Sequence, residues 1–214
     1  MYLSHILLTL VGGHPNQITG FAWGLLHAIR SHKMEELRKT KSSDLVEAIF
    51  REVGRLYTNL LIPRHVTRSQ VVRGKHIPAG TFIVASPLVT ARDPKVFPEP
   101  DKFRPERWLT PTGELDVAQL KNIHRTGRSI QFGKGQHACA GEPLGKLMVI
   151  DLWWDIILGN EEKPGYDVEI VSGIREGVGV DNVGVEAAWI EENLGTPFEK
   201  APVMVRFKER MINS

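Results

Sequence analysis

A chain of 214 residues is long enough for one large domain or two small ones, and its 42% apolar residues suffice for a sizeable core. Its 27 Lys and Arg residues nearly balance 25 Asp and Glu residues, giving a net charge of +2, and they are scattered, which argues against a nucleic-acid partner. The single cysteine, Cys139, excludes an internal disulfide and is left as a buried hydrophobe, a reactive thiol or a metal ligand.

The N-terminal residues 3–30 contain two helical halves joined through residues 11–17. Gly12, Gly13 and Pro15 in this connection would weaken or kink a helix, so we predict one long helix with a break in its middle. The apolar stretch 6–11 is too short for a membrane span, and no basic residue precedes it. The sequence therefore predicts neither a transmembrane segment nor a signal peptide here.

The next segments alternate between helical and extended patterns. Residues 31–43 are polar and predict a surface helical turn with a loop. Behind Ser43 or Asp44 as N-cap, apolar residues then recur every three or four positions and predict an amphipathic helix: Leu45, Val46, Ile49, Val53, Leu56 and Leu60. Residues 65–72 and 81–86 predict short β strands around a turn at Gly74.

The C-terminal part mixes proline-rich, apolar and turn-rich segments. Residues 91–108 contain four prolines and must be held by side-chain contacts. Residues 109–131 predict a surface loop, and 143–158 predict a helix that is buried on nearly every face. The tail 163–214 reads as hairpins and turns that close with a strand at 202–207. The fold class is mainly α with small β sheets.

The segment FGKGQHACAG, residues 132–141, surrounds the cysteine with glycines. Cys139 lies just before a helix whose early turn contains Pro143, so free N–H groups and the positive end of the helix dipole favour a thiolate. Glycines give the loop left-handed turns and let a flat ligand approach the backbone: Gly133, Gly135 and Gly141. Phe132 would shield one side. A thiolate held beneath a large planar group is what axial ligation of haem iron by cysteine requires.

This pattern, F-G-x-G-x-H-x-C-x-G, resembles the cysteine-ligand loop of the cytochrome P450 family. Its fixed positions are filled by Phe132, Gly133, Gly135, His137, Cys139 and Gly141. The resemblance implies a haem cofactor, with Cys139 as the proximal iron ligand and His137 as a donor to a haem propionate. The alternative is a glycine-rich loop with a buried thiol.

Two further motifs occur in the family's order. EVGR, from Glu52 to Arg55, resembles the family's E-x-x-R, and FRPERW at 103–108 is similar to its F-x-P-x-R-[FW]. The resemblance implies a buried network of Glu52, Arg55 and Arg107 behind the cysteine loop, and it makes Arg64 a second propionate contact. Alone, the Glu and Arg would be an ordinary solvent-side helix pair, and Arg64 an exposed arginine beginning a strand.

The distal helix departs from the family pattern [AG]-G-x-[DE]-T-[TS]. Gly12 and Gly13 fit, but Pro15 stands at the acid and Asn16 at the alcohol. Asn16 can donate a hydrogen bond from the distal side but cannot act as a general acid. The departure favours, as an alternative to monooxygenation, a haem-dependent isomerase or dehydratase.

The resemblance covers roughly residues 1–210 but matches only the C-terminal half of a family member, so we expect residues 1–214 to form one partial, truncated P450 domain. The implied function is a haem-thiolate monooxygenase acting on a hydrophobic small molecule in secondary-metabolite or lipid biosynthesis; an inactive fragment is a further alternative.

The implied partner is a redox partner such as an NADPH-dependent reductase. It would contact a positive patch, for which solvated loop charges are the other interpretation: Arg125, Arg128, Lys134 and Lys146. The resemblance implies the endoplasmic reticulum membrane, although no anchor is encoded.

Overall fold

The structure, a computed structural model, describes residues 20–58, 61–129, 131–160, 163–172 and 204–210. The predicted helix break at 11–17, and Asn16 with it, lie outside the described residues. The described part of helix α1 covers 20–30, α2 covers Lys33–Thr40 and α3 covers Ser43–Tyr57. Where a surface turn and loop were expected, α2 is thus a helix of two turns, because it buries Met34 and Leu37.

Helix α3 is the centre of the main core, and its prediction from apolar spacing is confirmed for Leu45 to Leu56; the helix ends at Tyr57, and Leu60 lies outside the described residues. Its N-cap is Ser42, one position before the expected Ser43, because the Ser42 hydroxyl accepts a hydrogen bond from the Leu45 N–H at 3.1 Å. The core that α3 shares with α1 and the C-terminal helix includes Trp23, Leu26, Val46, Ile49, Val53, Val149 and Trp153.

Within the described ranges, three two-stranded antiparallel sheets follow or flank the helices. β1 (Ile62–His65) pairs with β4 (Phe82–Ala85), and between them β2 (Gln70–Val72) and β3 (Lys75–Ile77) form a hairpin. The hairpin turns through Arg73 and Gly74, at φ +50° and +78°, which is the backbone that a two-residue connection needs. β5 (Tyr166–Ser172) pairs with β6 (Met204–Glu209), so the predicted closing strand is confirmed.

The expected loop at 109–131 contains a helix. After α4 (Pro87–Ala91) and a 3₁₀ turn at Pro105–Trp108, α5 spans Val117–Thr126. Asp116 caps α5 by accepting from the Gln119 N–H at 2.8 Å, and Gly127 ends it at φ +69°. Ile123 is the one buried residue of α5, and the partly buried Leu120 packs beside it against a small second core, so α5 contributes few side chains to a core.

Helix α6 (Glu142–Leu152) continues into a π-helical turn at Trp153–Leu158. The expectation that this segment is buried on nearly every face was wrong. Gly145, Val149, Trp153 and Ile157 face the core, but three apolar side chains of α6 are exposed: Leu144 (56%), Leu147 (54%) and Met148 (40%). Among the described residues, no helix combines the length and apolar character that crossing a membrane requires.

Candidate functional site

The cysteine loop connects α5 to α6 and is closed by its own backbone. The Cys139 N–H donates to the Phe132 carbonyl at 2.7 Å, and the Ala138 N–H donates to the Gly135 carbonyl at 3.0 Å across a 3₁₀ turn at Gly135–His137. Cys139 is exposed, three residues before α6 begins at Glu142. The loop therefore presents a single thiol at the N-terminus of a helix, where backbone N–H groups stabilise negative charge.

Glycines determine the shape of this loop. Gly133 and Gly135 have φ values of +73° and +72°, which side chains rarely tolerate. A Cβ added at Gly135 would meet no atom within 4 Å, and one added at Gly141 would lie 3.7 Å from the Cys139 Sγ. Glycine at position 141 thus leaves unfilled the space next to the sulfur that a side chain would occupy, and Gly135 faces open space.

A buried carboxylate organises the region behind α3. The side chain of Glu52 is fully buried and accepts hydrogen bonds from Arg55 at 2.8 and 2.9 Å, and from the Arg107 Nε at 3.0 Å. It also accepts from the Arg104 backbone N–H and from the Trp108 indole, both at 2.9 Å. The two oxygens thus compensate two guanidinium groups and satisfy two further donors.

Arg55 is saturated with partners. Its Nη1 donates to the carbonyls of Ala91 at 2.8 Å and Pro100 at 2.6 Å, and its Nη2 donates to the Lys102 carbonyl at 3.2 Å. Its guanidinium also lies 5.3 Å from the ring centre of Phe97. A buried cation with this many acceptors pins the proline-rich segment to α3.

Arg107 completes the network from the 3₁₀ turn. It donates to Glu52 and to the carbonyls of Pro98, Glu99 and Lys102 at 3.0–3.3 Å. Burial lowers the pKa of Arg107 below its ordinary value, while the charge of Glu52 acts in the opposite direction. The structure therefore brings together Glu52, Arg55 and Arg107, the three residues that the motifs single out.

Other predicted site residues lie apart from this network. Arg64 is exposed on β1 and donates to the neighbouring Pro63 carbonyl at 2.8 Å. His137 lies in the 3₁₀ turn of the cysteine loop. Of the expected positive patch, the Lys134 Nζ donates to the Arg125 carbonyl at 2.8 Å, but Lys146 forms an ion pair with Glu47 at 3.3 Å. The charge of Lys146 is thus largely compensated.

Two contacts were missed from the sequence. The first is the Trp108 indole on Glu52, which the need of a buried Trp N–H for an acceptor could have suggested. The second is His27 of α1, which stacks on Phe103 at 4.4 Å and places its Nε2 2.6 Å from the Tyr57 hydroxyl. Burial, aided by the charge of Arg30, lowers the pKa of His27 to about 3. Phe103 and Trp108 are the first and last residues of the motif FRPERW, so both missed contacts fix the position of this segment.

A family model described as Cytochrome P450 matches residues 5–152. The chain belongs to the cytochrome P450 family. This P450 is 31% identical over 178 residues to the lanosterol 14-alpha demethylase of Cunninghamella elegans, a match that covers 67% of the chain and 35% of the relative. It is 28% identical over 162 residues to the cytochrome P450 monooxygenase pytD of Aspergillus terreus, covering 69% of the chain and 42% of the relative.

Among solved structures, a 6-coordinated cytochrome P450 from Thermus thermophilus matches with a TM-score of 0.51 and 31% identity, over 66% of this chain and 35% of that one. The P450 chain thus spans less than half the length of these relatives. Its helices and small sheets correspond to a portion of the P450 fold, as the fold class expected from the sequence states.

Proposed function

We propose that this P450 chain holds haem through the Cys139 thiolate and serves a monooxygenase-type oxidation of a hydrophobic small molecule. The observation that carries the proposal is the exposed Cys139 thiol on a closed glycine loop at the start of α6. The similarity to a demethylase and a monooxygenase supports the reaction class.

The donor set fits this cofactor. In the part of the chain that the structure describes, no group of three His, Cys, Asp or Glu side chains could hold a bare metal ion. A lone thiol suits a metal that brings its remaining ligands with it, as the iron of a porphyrin does. When bound, a thiolate-ligated haem supplies the oxygen-activating chemistry.

The residues of this chain would hold and orient that group. Cys139 provides the ligand atom, and the bond from its N–H to the Phe132 carbonyl fixes the backbone on which the sulfur is carried. His137 and Arg64 are proposed as propionate contacts, and Asn16 as a hydrogen-bond donor on the distal side. The hydrophobic substrate and its role in secondary-metabolite or lipid biosynthesis belong to the same proposal.

A redox partner is proposed to dock on the cysteine side. Arg125, Arg128 and Lys134 are all exposed there, and the contact between Lys134 and the Arg125 carbonyl places two of them together. A positive surface of this kind attracts an acidic reductase and accelerates its association at low ionic strength. We leave Lys146 out of this surface because Glu47 compensates its charge.

The absorption spectrum of the reduced carbon-monoxide complex tests the proposal. The 214-residue chain is mixed with haemin, reduced and exposed to carbon monoxide, next to a Cys139→Ser variant. We expect the red-shifted Soret band of thiolate-ligated haem from the unaltered chain alone. A featureless spectrum, or the same band from Cys139→Ser, would overturn the proposal, and the former would favour an inactive fragment.

A haem-dependent isomerase or dehydratase is the second candidate, and it is favoured by Pro15 and Asn16 at the acid and alcohol positions of the family pattern. Turnover of a substrate hydroperoxide without any reductase would select this reaction. Turnover that requires both a reductase and molecular oxygen would select the monooxygenase.

A further inference from the structure

Helix α3 presents one face to both ends of the cysteine loop. Glu47, Phe50, Arg51 and Gly54 follow the three- and four-residue spacing of one helical stripe, here called the docking stripe. Each of the four contacts a residue between 131 and 146. The adjacent face of the same helix carries Glu52 and Arg55.

Phe50 and Gly54 of the docking stripe contact the start of the cysteine loop. The Phe50 and Phe132 ring centres are 6.1 Å apart, within the range of favourable aromatic pairs. A Cβ added at Gly54 would lie 2.9 Å from the Nε2 of Gln131, so the Gln131 amide rests directly on the helix backbone. Residues 131 and 132 are therefore held against α3 by shape.

Glu47 and Arg51 of the docking stripe form ion pairs with the start of α6. Arg51 donates to Glu47 at 2.7 and 2.8 Å, and its Nη1 lies 3.8 Å from Glu142 in the first turn of α6. Lys146, one turn further along α6, lies 3.3 Å from Glu47. The four charges alternate in sign across the two helices. The side chains of Glu47 and Arg51 are only 10% and 17% exposed, so water screens the pair within α3 weakly, whereas Glu142 and Lys146, at 33% and 34%, are partly screened.

Cys139 lies between these two anchored ends. Arg51 reaches both, since it faces Glu142 and also lines a small cleft together with Phe132 and Gly133. We propose that the docking stripe positions the cysteine loop, and that Arg51 is a positioning residue for the Cys139 sulfur. The consequence for haem ligation rests on the proposed function; the consequence for the loop does not.

Amide hydrogen exchange of the haem-free chain tests the positioning. Reporters are the Cys139 N–H, bonded to Phe132, and the Gly145 N–H, bonded to the Gly141 carbonyl at 2.8 Å. We expect Arg51→Gln and Glu142→Gln each to accelerate exchange at both amides about fivefold. Because the two residues act on one contact, the double variant should exchange no faster than the faster single variant.

Arg38→Gln is the matched control, since Arg38 is 27% exposed and paired with Asp167 at 2.9 Å, away from the loop. It should leave the amide exchange rates of residues 131–146 unchanged. Additive effects in the double variant, equal acceleration across the whole chain, or the same loop acceleration in Arg38→Gln would overturn the inference.

A second readout connects the inference to the cofactor. With haemin, carbon monoxide and equal amounts of folded protein, Arg51→Gln should give a smaller fraction of the red-shifted Soret band than Arg38→Gln does. Equal fractions would refute the role of Arg51 in presenting the sulfur. Absence of the band from the unaltered chain would refute only the proposed haem ligation. The exchange rates would still decide whether the docking stripe positions the loop.

Discussion

Replacing Glu52 with glutamine should be among the most damaging single changes in the described core. The carboxylate is fully buried and accepts two hydrogen bonds from Arg55 and one each from Arg107, the Arg104 N–H and Trp108. Glutamine keeps the size of the side chain but offers one acceptor oxygen, and its NH₂ group would face other donors. Arg55, also fully buried, would lose its counter-charge.

Breaking a buried ion pair by removing one partner costs about 3–5 kcal/mol. A typical domain is stable by only about 5–15 kcal/mol, so the loss should shift the unfolding midpoint visibly. Urea unfolding followed by far-UV circular dichroism measures it. The matched control is Glu36→Gln, an exposed carboxylate paired with Lys33 at 2.7 Å, which should cost less than about 1 kcal/mol. If the two variants differ by under about 1 kcal/mol, the carboxylate does not hold this network together.

Three further substitutions probe other contacts. Between pH 6.5 and about 3 the unfolded chain protonates His27 while the native chain does not. The free energy of unfolding should therefore fall with falling pH, by up to about 1.4 kcal/mol per pH unit. His27→Gln should flatten the pH profile of the urea midpoint. Gly159→Ala should lower the free energy of unfolding by more than about 3 kcal/mol in the same urea titration. Gly159 has φ +68°, and an added Cβ would lie 2.2 Å from the Pro164 carbonyl carbon. Ser42→Ala should cost about 1 kcal/mol by removing the cap on the Leu45 N–H, seen as a lower melting temperature.

Each of these changes has an internal comparison. Gly113, at φ +88° with no atom within 4 Å of an added Cβ, should lose only about 1 kcal/mol on change to alanine, so equal losses at Gly113 and Gly159 would contradict the steric argument. An unchanged pH slope in His27→Gln would mean that carboxylates alone produce it. Ser42→Thr, which keeps a hydroxyl oxygen for the Leu45 N–H, should lose less stability than Ser42→Ala does; equal losses would mean that the hydroxyl does not cap α3.

The sequence predicts those parts of the fold whose determinants are local. The apolar spacing of α3 and the turn at Gly74 depend on neighbouring residues only, and both correspond to observed elements. Helix α5 was missed because only Ile123 and the partly buried Leu120 join it to a core, and the rest of that core comes from residues distant in the sequence. The exposure of Leu147 was missed because an apolar composition does not reveal which face of a helix meets protein.

The candidate site follows the same division. The resemblance to the P450 family, carried by the order of its motifs, implied a network of Glu52, Arg55 and Arg107, and the structure places these residues within hydrogen-bonding distance. The contact between Arg51 and Glu142 joins positions that no motif links, so only the packing of α3 against α6 reveals it. The same holds for Lys146, which looked like a free surface charge until its pairing with Glu47 was seen.

The Glu52 network also constrains how the chain is made. Its two arginine partners are 3 and 55 positions away along the sequence. At a synthesis rate of about 5–20 residues per second, the second partner leaves the ribosome roughly 3–11 seconds after the carboxylate does. During that interval α3 cannot bury its acidic face with both counter-ions in place. A nascent chain arrested before Arg107 should therefore remain sensitive to protease around α3.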